Sequence, residues 1–463
     1  MPDPFLAARG EEVSLYALQF PEGGGNASIV EANWSSPGLT ITPPGASWQW
    51  VKHTAPLAAG PYVVTATKKA DSSLTAQLTV TVPWTLKLLG AESSFVRTDA
   101  AGNVYVAGTT KNQLGAVSTN GATRGYLAKY DAAGMLQWKE LIGSTDTLNV
   151  FSMAVDPGGN VYLAGAFSGT LDGQDGGAGG SAMALKFDTH GGRQWVKTLK
   201  DGSDPTGGKL MAVALDATGN LRVAGRDVAN SLMVAKLDAN GNQAWLKRPG
   251  PKITSDTLGL AVDASGNAHA AAVVTSNYST YNAQIATYEP DGDAAGTLSF
   301  NVPATSDTIT ALAMDGNALY VGGITSGSMD GAASGAQKDG YVRKLDLDGQ
   351  VLWTHQFHTA SKDEVRALAL ATDGSVYVVG STSGSLASHA GSDDQFFAKL
   401  PGGGGSPIFL RQLGTANQDL GSSVHVAGDR IFVTGMMYGP YEGYPGGATK
   451  HLIQLFNPTG VRQ

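Results

Sequence analysis

The sequence predicts an all-β chain: a seven-bladed β-propeller closed by an N-terminal strand and preceded by a smaller β-sandwich. Three observations carry this. Glycine supplies 62 of 463 residues while charged residues reach only 15%. That composition suits many short strands joined by tight turns and does not suit long exposed helices. A short glycine-containing phrase occurs seven times, and a second phrase built on Lys, an aromatic, Asp and Trp keeps phase with it.

The first phrase is Gly102-Asn103-Val104-Tyr105-Val106-Ala107-Gly108, and it returns at 159–165 and 219–225. Weaker copies occupy 266–272, 318–323, 374–380 and 430–435, so that successive copies end 57, 60, 47, 51, 57 and 55 residues apart. The second phrase is Leu127-Ala128-Lys129-Tyr130-Asp131 with Gly134 and Trp138; it recurs with Trp195, Trp245 and Trp353, and has lost the Trp around Tyr288, Leu400 and Leu455. Each unit therefore reads as four short strands, the innermost being Phe151–Val155 in the second unit. Four-stranded units of about 40–55 residues, repeated four to eight times, describe a propeller.

The turns have a mechanical basis. Asp99 and Asp131 stand where a carboxylate can cap a turn, and Gly or Asn follows where positive φ is needed. If the Asp131–Gly134 turn sets the register, Trp138 faces Leu127 and Lys129 lies diagonally on the same face, within cation–π reach. The Trp is thus expected to pack rather than to stack on a cofactor. The seventh unit runs out at Leu452–Phe456 before any fourth strand, while a stray Trp strand, Trp84–Gly90, stands before the first unit. That segment is expected to complete the last blade, covering edges that would otherwise template aggregation.

The pattern Asp-x-x-Gly-Asn-Val-Tyr-Val-Ala-Gly, then Lys-Tyr-Asp, Gly and Trp, resembles the bacterial seven-bladed propeller repeats abbreviated SBBP over roughly residues 84–463. The resemblance implies a secreted or surface-attached bacterial protein with a binding role. The Lys-Leu-Asp-x-x-Gly-x-x-x-Trp phrase also resembles the repeats of quinoprotein dehydrogenases. Those enzymes normally have eight blades and a calcium-held cofactor, whereas seven units are counted here.

Residues 1–83 follow a different pattern. Gly60–Thr67 and Leu74–Val82 are alternating, Thr/Val-rich runs separated by a polar turn at Lys68–Ser73, a hairpin with one buried face. Val30–Trp34 and Leu39–Thr42 fit further strands, with Trp34 as a core aromatic, and Gly23–Asn26 reads as a loop. The hairpin is similar to the end of bacterial Ig-like domains, which implies an Ig-like β-sandwich acting as spacer or adhesive module.

Composition narrows the function. A net charge of −8, from 31 Lys and Arg against 39 Asp and Glu, leaves no basic face for nucleic acid. The absence of cysteine removes disulfides and thiolate chemistry. No run of about 18 apolar residues suggests a transmembrane segment. The opening Met1-Pro2-Asp3-Pro4-Phe5 carries no visible signal sequence. There is no His-Glu-x-x-His, Gly-x-Ser-x-Gly, phosphate loop or sialidase Asp box, and the eight histidines are scattered.

Candidate sites lie in the variable second-to-third loops, expected to share one face of the disc with the blade-to-blade links. Tyr438, Tyr441 and Tyr444 stand among glycines in the last long loop, and Tyr278 and Tyr281 in a shorter one. Tyrosines in loops can stack on sugar rings or anchor a protein. Asp172 with Asp175, and Asp393 with Asp394, could offer carboxylates to calcium, although neither pair shows a complete ligand series. In the innermost strands a small residue precedes a large one, as in Ala154/Val155 and Ala214/Leu215. Arg97 takes the small position in the first blade and His425 the large one in the seventh, a pair that could bind an anion or do acid/base work. The expected function is non-catalytic recognition or adhesion at a bacterial surface or outside the cell, toward a glycan or protein, with no cofactor required. The rivals are a propeller enzyme (a quinoprotein-like oxidoreductase, or a polysaccharide lyase or hydrolase) and a structural spacer in a surface assembly.

Overall fold

A computed structural model describes residues 84–463 apart from 90, 92–94, 112–121, 178–179, 202–203, 206, 249–251, 255–257, 276–280, 300–306, 330–336, 389–390 and 440–449. Before residue 84 it describes mainly strand segments between residues 5 and 82. Seven antiparallel sheets form the seven blades of a β-propeller.

Blade 1 runs from the inside outward as Phe95–Thr98, Val104–Thr110, Arg124–Tyr130 and Leu136–Ile142. Blade 2 repeats this as Leu148–Val155, Val161–Phe167, Ser181–Phe187 and Arg193–Thr198. Blade 3 is Lys209–Leu215, Leu221–Arg226, Leu232–Leu237 and Gln243–Lys247. Blades 4, 5 and 6 begin at Gly259–Val262, Thr308–Met314 and Asp363–Leu370. In blade 7, Asp419–Ala427, Arg430–Met437 and Lys450–Phe456 are followed in space by Thr85–Leu89, with Leu86 opposite Ile453. Innermost strands touch in ring order, and that of blade 7 touches that of blade 1.

What holds the ring is burial between blades. A separate hydrophobic cluster lies at each seam: Leu127, Met153, Leu163 and Met183 between blades 1 and 2, for example, and Val106, Tyr126, Phe432 and Ile453 between blades 7 and 1. A middle strand is therefore covered on both faces, which is why Val104–Thr110 is buried at every position. Outer strands cover one face only, so Leu136–Ile142 is exposed at four of its seven positions, with Trp138, Leu141 and Ile142 the covered ones.

Three sequence expectations need correction. The inner strand of blade 2 starts at Leu148, three residues before Phe151, because its first residues pair with the loop end of Val161–Phe167. Trp138 faces Lys129, not Leu127, since the turn closes Asp131 on Met135 and a register shift between Lys129 and Tyr130 adds one residue more. His425 pairs with Phe432, the rung at which Arg97 pairs with Tyr105 and Ala154 with Tyr162, so it takes the small position and not the large one.

Before the propeller, Gly60–Lys68 pairs antiparallel with Thr75–Val82, joined by Ala32–Ser35 on one side and, in parallel, Phe5–Leu6 on the other. Val64 is buried while Val63 is 41% exposed, the alternation of a sheet with one covered face. Glu12–Tyr16, Trp50–Thr54 and Thr40–Thr42 form a second sheet. The Gly23–Asn26 loop and the side chain of Trp34 lie outside the described residues.

Candidate functional site

The disc has two rims of different character. Turns from first to second and from third to fourth strand make one, here the turn rim; second-to-third loops and blade-to-blade links make the other, the loop rim.

On the turn rim a single device recurs. Asp99, Asp156, Asp216 and Asp263 each accept the backbone amide four residues on and the side-chain amide of an Asn at that position. The Asp99 carboxylate also takes the Tyr105 hydroxyl at 3.1 Å. Lys129 Nζ lies 5.2 Å over the Tyr105 ring and donates to the Thr189 carbonyl of blade 2, to which the Trp138 indole also donates. Lys186 and Trp195 converge in the same way on Ala239 O, and Lys236 and Trp245 on Pro290 O. Trp84 and Arg430 converge on Ala132 O. The turn glycines complete the seam: Gly191 and Gly241, at φ +86° and +79°, lie flat on Trp138 and Trp195, where a Cβ would meet indole atoms at 3.1 and 3.0 Å. Arg222 replaces the tyrosine in blade 3 and is fully buried, pairing with Asp216 at 3.1 Å and reaching Gly266 O. Apart from Arg222 Nε, which is buried without a hydrogen-bond partner, these polar groups engage one another.

Near the axis, His425 Nε2 lies 2.9 Å from Thr98 Oγ1 of blade 1, and Arg97 Nη1 donates to its neighbouring Val96 carbonyl. Burial, reinforced by the Arg97 charge, pushes the His425 imidazole down to about 3. His425 is therefore neutral at neutral pH, and the two residues share one seam.

The proposed carboxylate pairs divide. Asp172, at the tip of a small hairpin of Thr170–Leu171 and Gln174–Asp175, is ion-paired with Arg193 at 2.6 Å. Asp175 Oδ1 caps the Gly177 amide. Asp393 holds Ser383 and Gln418, while Asp394 is buried and accepts from Gln412 at 2.8 Å. Among the described residues, no three His, Asp or Glu side chains are placed to hold a metal ion. Tyr438 is 36% exposed at the end of its strand, its amide donating to Asp419 Oδ1. Tyr278, Tyr441 and Tyr444 lie outside the described residues; Tyr281 starts a strand opposite Thr275.

The loop rim also holds a cavity that sequence reasoning missed. Its volume is about 470 Å³, within the roughly 300–1,000 Å³ of small-ligand sites. It opens between blades 2 and 3, where Asn149 and Phe151 meet Lys209 and Arg226. Lys209 Nζ lies 5.4 Å over the Phe151 ring, and Arg226 Nη1 donates to Asn230 Oδ1 at 2.7 Å. The signal was a break in the repeat: after the Val-Ala-Gly phrase, Arg226-Asp227 stands where other units have Thr109-Thr110 or Ser381-Thr382.

No family profile matches this chain. The regulatory protein FlaEY of Caulobacter vibrioides is 25% identical over 315 residues, covering 54% of this chain. The chain spans about a third of the length of that relative (32%). Among solved structures, the WD40 domain of Neurospora crassa Pan2 matches with a TM-score of 0.47 and 13% identity, over 78% of this chain and 89% of that one. The propeller domain of the trilobed protease of Pyrococcus furiosus gives 0.45 and 7% identity over 79% and 96%. A puromycin hydrolase gives 0.49 and 15% identity over 81% and 54%. Each of these is a likeness of overall fold.

Proposed function

We propose that the protein is a non-catalytic recognition module of a bacterial surface or secreted protein, binding a glycan or protein partner through the loop rim. In this reading residues 1–83 form an Ig-like spacer, and the segment from Trp84 closes the ring. The observation that supports it is the contrast between rims. Turn-rim polar groups are spent on seams, whereas the loop rim varies from blade to blade and carries an open, polar cavity. Variable loops on a rigid scaffold are the usual place for recognition. Tyr438, Tyr441 and Tyr444 supply aromatic faces there, and Arg97 with His425 remains the rival anion site near the axis.

The test is binding of the whole chain to an array of bacterial glycans and to intact cells, repeated with Tyr438, Tyr441 and Tyr444 each changed to Ala. Saturable binding weakened by these changes supports recognition. Turnover of a polysaccharide, or bound quinone absorbance, would replace it with an enzyme; no binding at all would leave a spacer.

A further inference from the structure

Arg97 and His425 stand at one height around the axis. The rung that pairs Arg97 with Tyr105 is Ala154–Tyr162 in blade 2 and Ala214–Arg222 in blade 3. It is Ala261–His269, Ala313–Tyr320 and Ala369–Tyr377 in blades 4, 5 and 6, and His425–Phe432 in blade 7. At this height, therefore, one guanidinium and one imidazole share the ring with alanines. Ala154, Ala214, Ala313 and Ala369 are half-buried, as are Arg97 and His425. Second strands and seams cover the other sides of an innermost strand, so this exposure is toward the channel that the ring encloses.

Arg97 meets no counter-charge on this surface. From Phe95 to Thr98, and at the matching rungs of the other blades, no position is Asp, Glu or Lys. Among the described residues its guanidinium makes one hydrogen bond, from Nη1 to the carbonyl of Val96 beside it in the chain, at 2.8 Å. Burial lowers the guanidinium from its ordinary value, yet an arginine stays charged. A cation set among apolar groups without an opposing charge is costly, and a channel of one sign draws anions from solution. His425 adds a polar edge and no second charge, being neutral and held by Thr98.

The walls narrow the choice of anion. The two flanking rungs carry Leu260, Leu312 and Leu368 on one side and Leu215, Met314 and Leu370 on the other, all half-buried. Their exposed methyl groups favour an alkyl chain over water. A planar guanidinium fork matches the two oxygens of a carboxylate. Its single charge balances a monoanion and leaves a phosphate dianion in excess.

We propose that the axial channel binds a monocarboxylate with an aliphatic tail, its carboxylate on Arg97 and its tail along the leucines. This site goes beyond the loop-rim recognition reading and does not depend on it.

The experiment titrates hexanoate into the whole chain by calorimetry, with acetate, hexanol and inorganic phosphate as comparison arms. The expected result is saturable binding of hexanoate, about tenfold or more tighter than acetate, the scale of burying a few methylenes. Arg97→Gln should lose about tenfold or more in affinity, the scale of one charge-assisted hydrogen bond. Arg97→Lys, which keeps the charge and loses the fork, should fall between the two. Circular dichroism and thermal unfolding identify the folded variants, and the ligand series on the unsubstituted chain needs none of them. Absence of saturable hexanoate binding, hexanol or phosphate binding as tightly as hexanoate, or full affinity in a folded Arg97→Gln chain would overturn the proposal. Tyr438→Ala should leave hexanoate binding unchanged, and its loss there would move the site to the loop rim and overturn the proposal too. Hexanoate binding in a chain that binds no glycan, protein or cell keeps this site and removes the loop-rim reading.

Discussion

At the turn rim, blades 1, 2 and 3 repeat one latch, an indole and an ammonium meeting on one carbonyl of the next blade. At the loop rim, the seam of blades 2 and 3 opens a cavity where later seams close on buried carboxylates. The difference separates two demands on one scaffold. Each blade must dock on its neighbour at a fixed angle for the ring to close, so the docking chemistry is copied. Nothing in closure depends on the loop rim being uniform, so that rim is free to differ from blade to blade.

Breaking the copied latch should have the largest effect. Trp195→Ala removes an indole packed on Gly241 and donating to Ala239 O; destabilisation of about 3 kcal/mol is expected, read as a lower urea midpoint. Gly241→Ala attacks the same seam from the other side, adding a Cβ at positive φ against Trp195. A loss of about 1–2 kcal/mol is expected, and an unchanged midpoint would show that the turn is free to swing away.

The axial seam gives a pH-dependent version. The folded His425 titrates at about 3, well below its ordinary 6.5, from burial and then the Arg97 charge. A depressed folded value means that stability is full above about pH 6.5 and is lost as pH falls toward 3, at up to about 1.4 kcal/mol per pH unit. His425→Gln should flatten that limb between pH 6.5 and 4. Asp363 and Asp419 act in the opposite sense, because burial raises both. They favour the fold while protonated, and that contribution fades as pH rises through their folded values. Urea midpoints across pH for the parent and His425→Gln separate the two limbs.

The smallest effect belongs to the loop rim. Val228 is 70% exposed beside the cavity, and Val228→Ser should change stability by less than about 0.5 kcal/mol. A larger loss would mean that this rim, too, helps to hold the ring.

Blade number and phase were legible in the sequence because the turn-rim latch puts the same residue types at the same spacing in blades 1, 2, 3 and 5; Asp131, Gly134 and Trp138 are a seam written out in order. Their contacts were less legible. A turn one residue longer and a register shift at Lys129/Tyr130 together put Trp138 opposite Lys129, and the carbonyl that accepts its indole lies 51 residues away. The candidate site was hardest to read. Lys209 and Arg226 are 17 positions apart and acquire meaning only when strand pairing sets them face to face. Only their departure from the repeat was visible beforehand. The tyrosines drew attention by composition, which says nothing about where a side chain lies.

The latch also gives the molecule built-in optical gauges. Of its eight tryptophans, five (Trp84, Trp138, Trp195, Trp245 and Trp353) donate to a carbonyl of another blade. Intrinsic emission should therefore report blade separation ahead of strand melting, and a ring that springs open at one junction would redden its fluorescence while its circular dichroism stays almost unchanged.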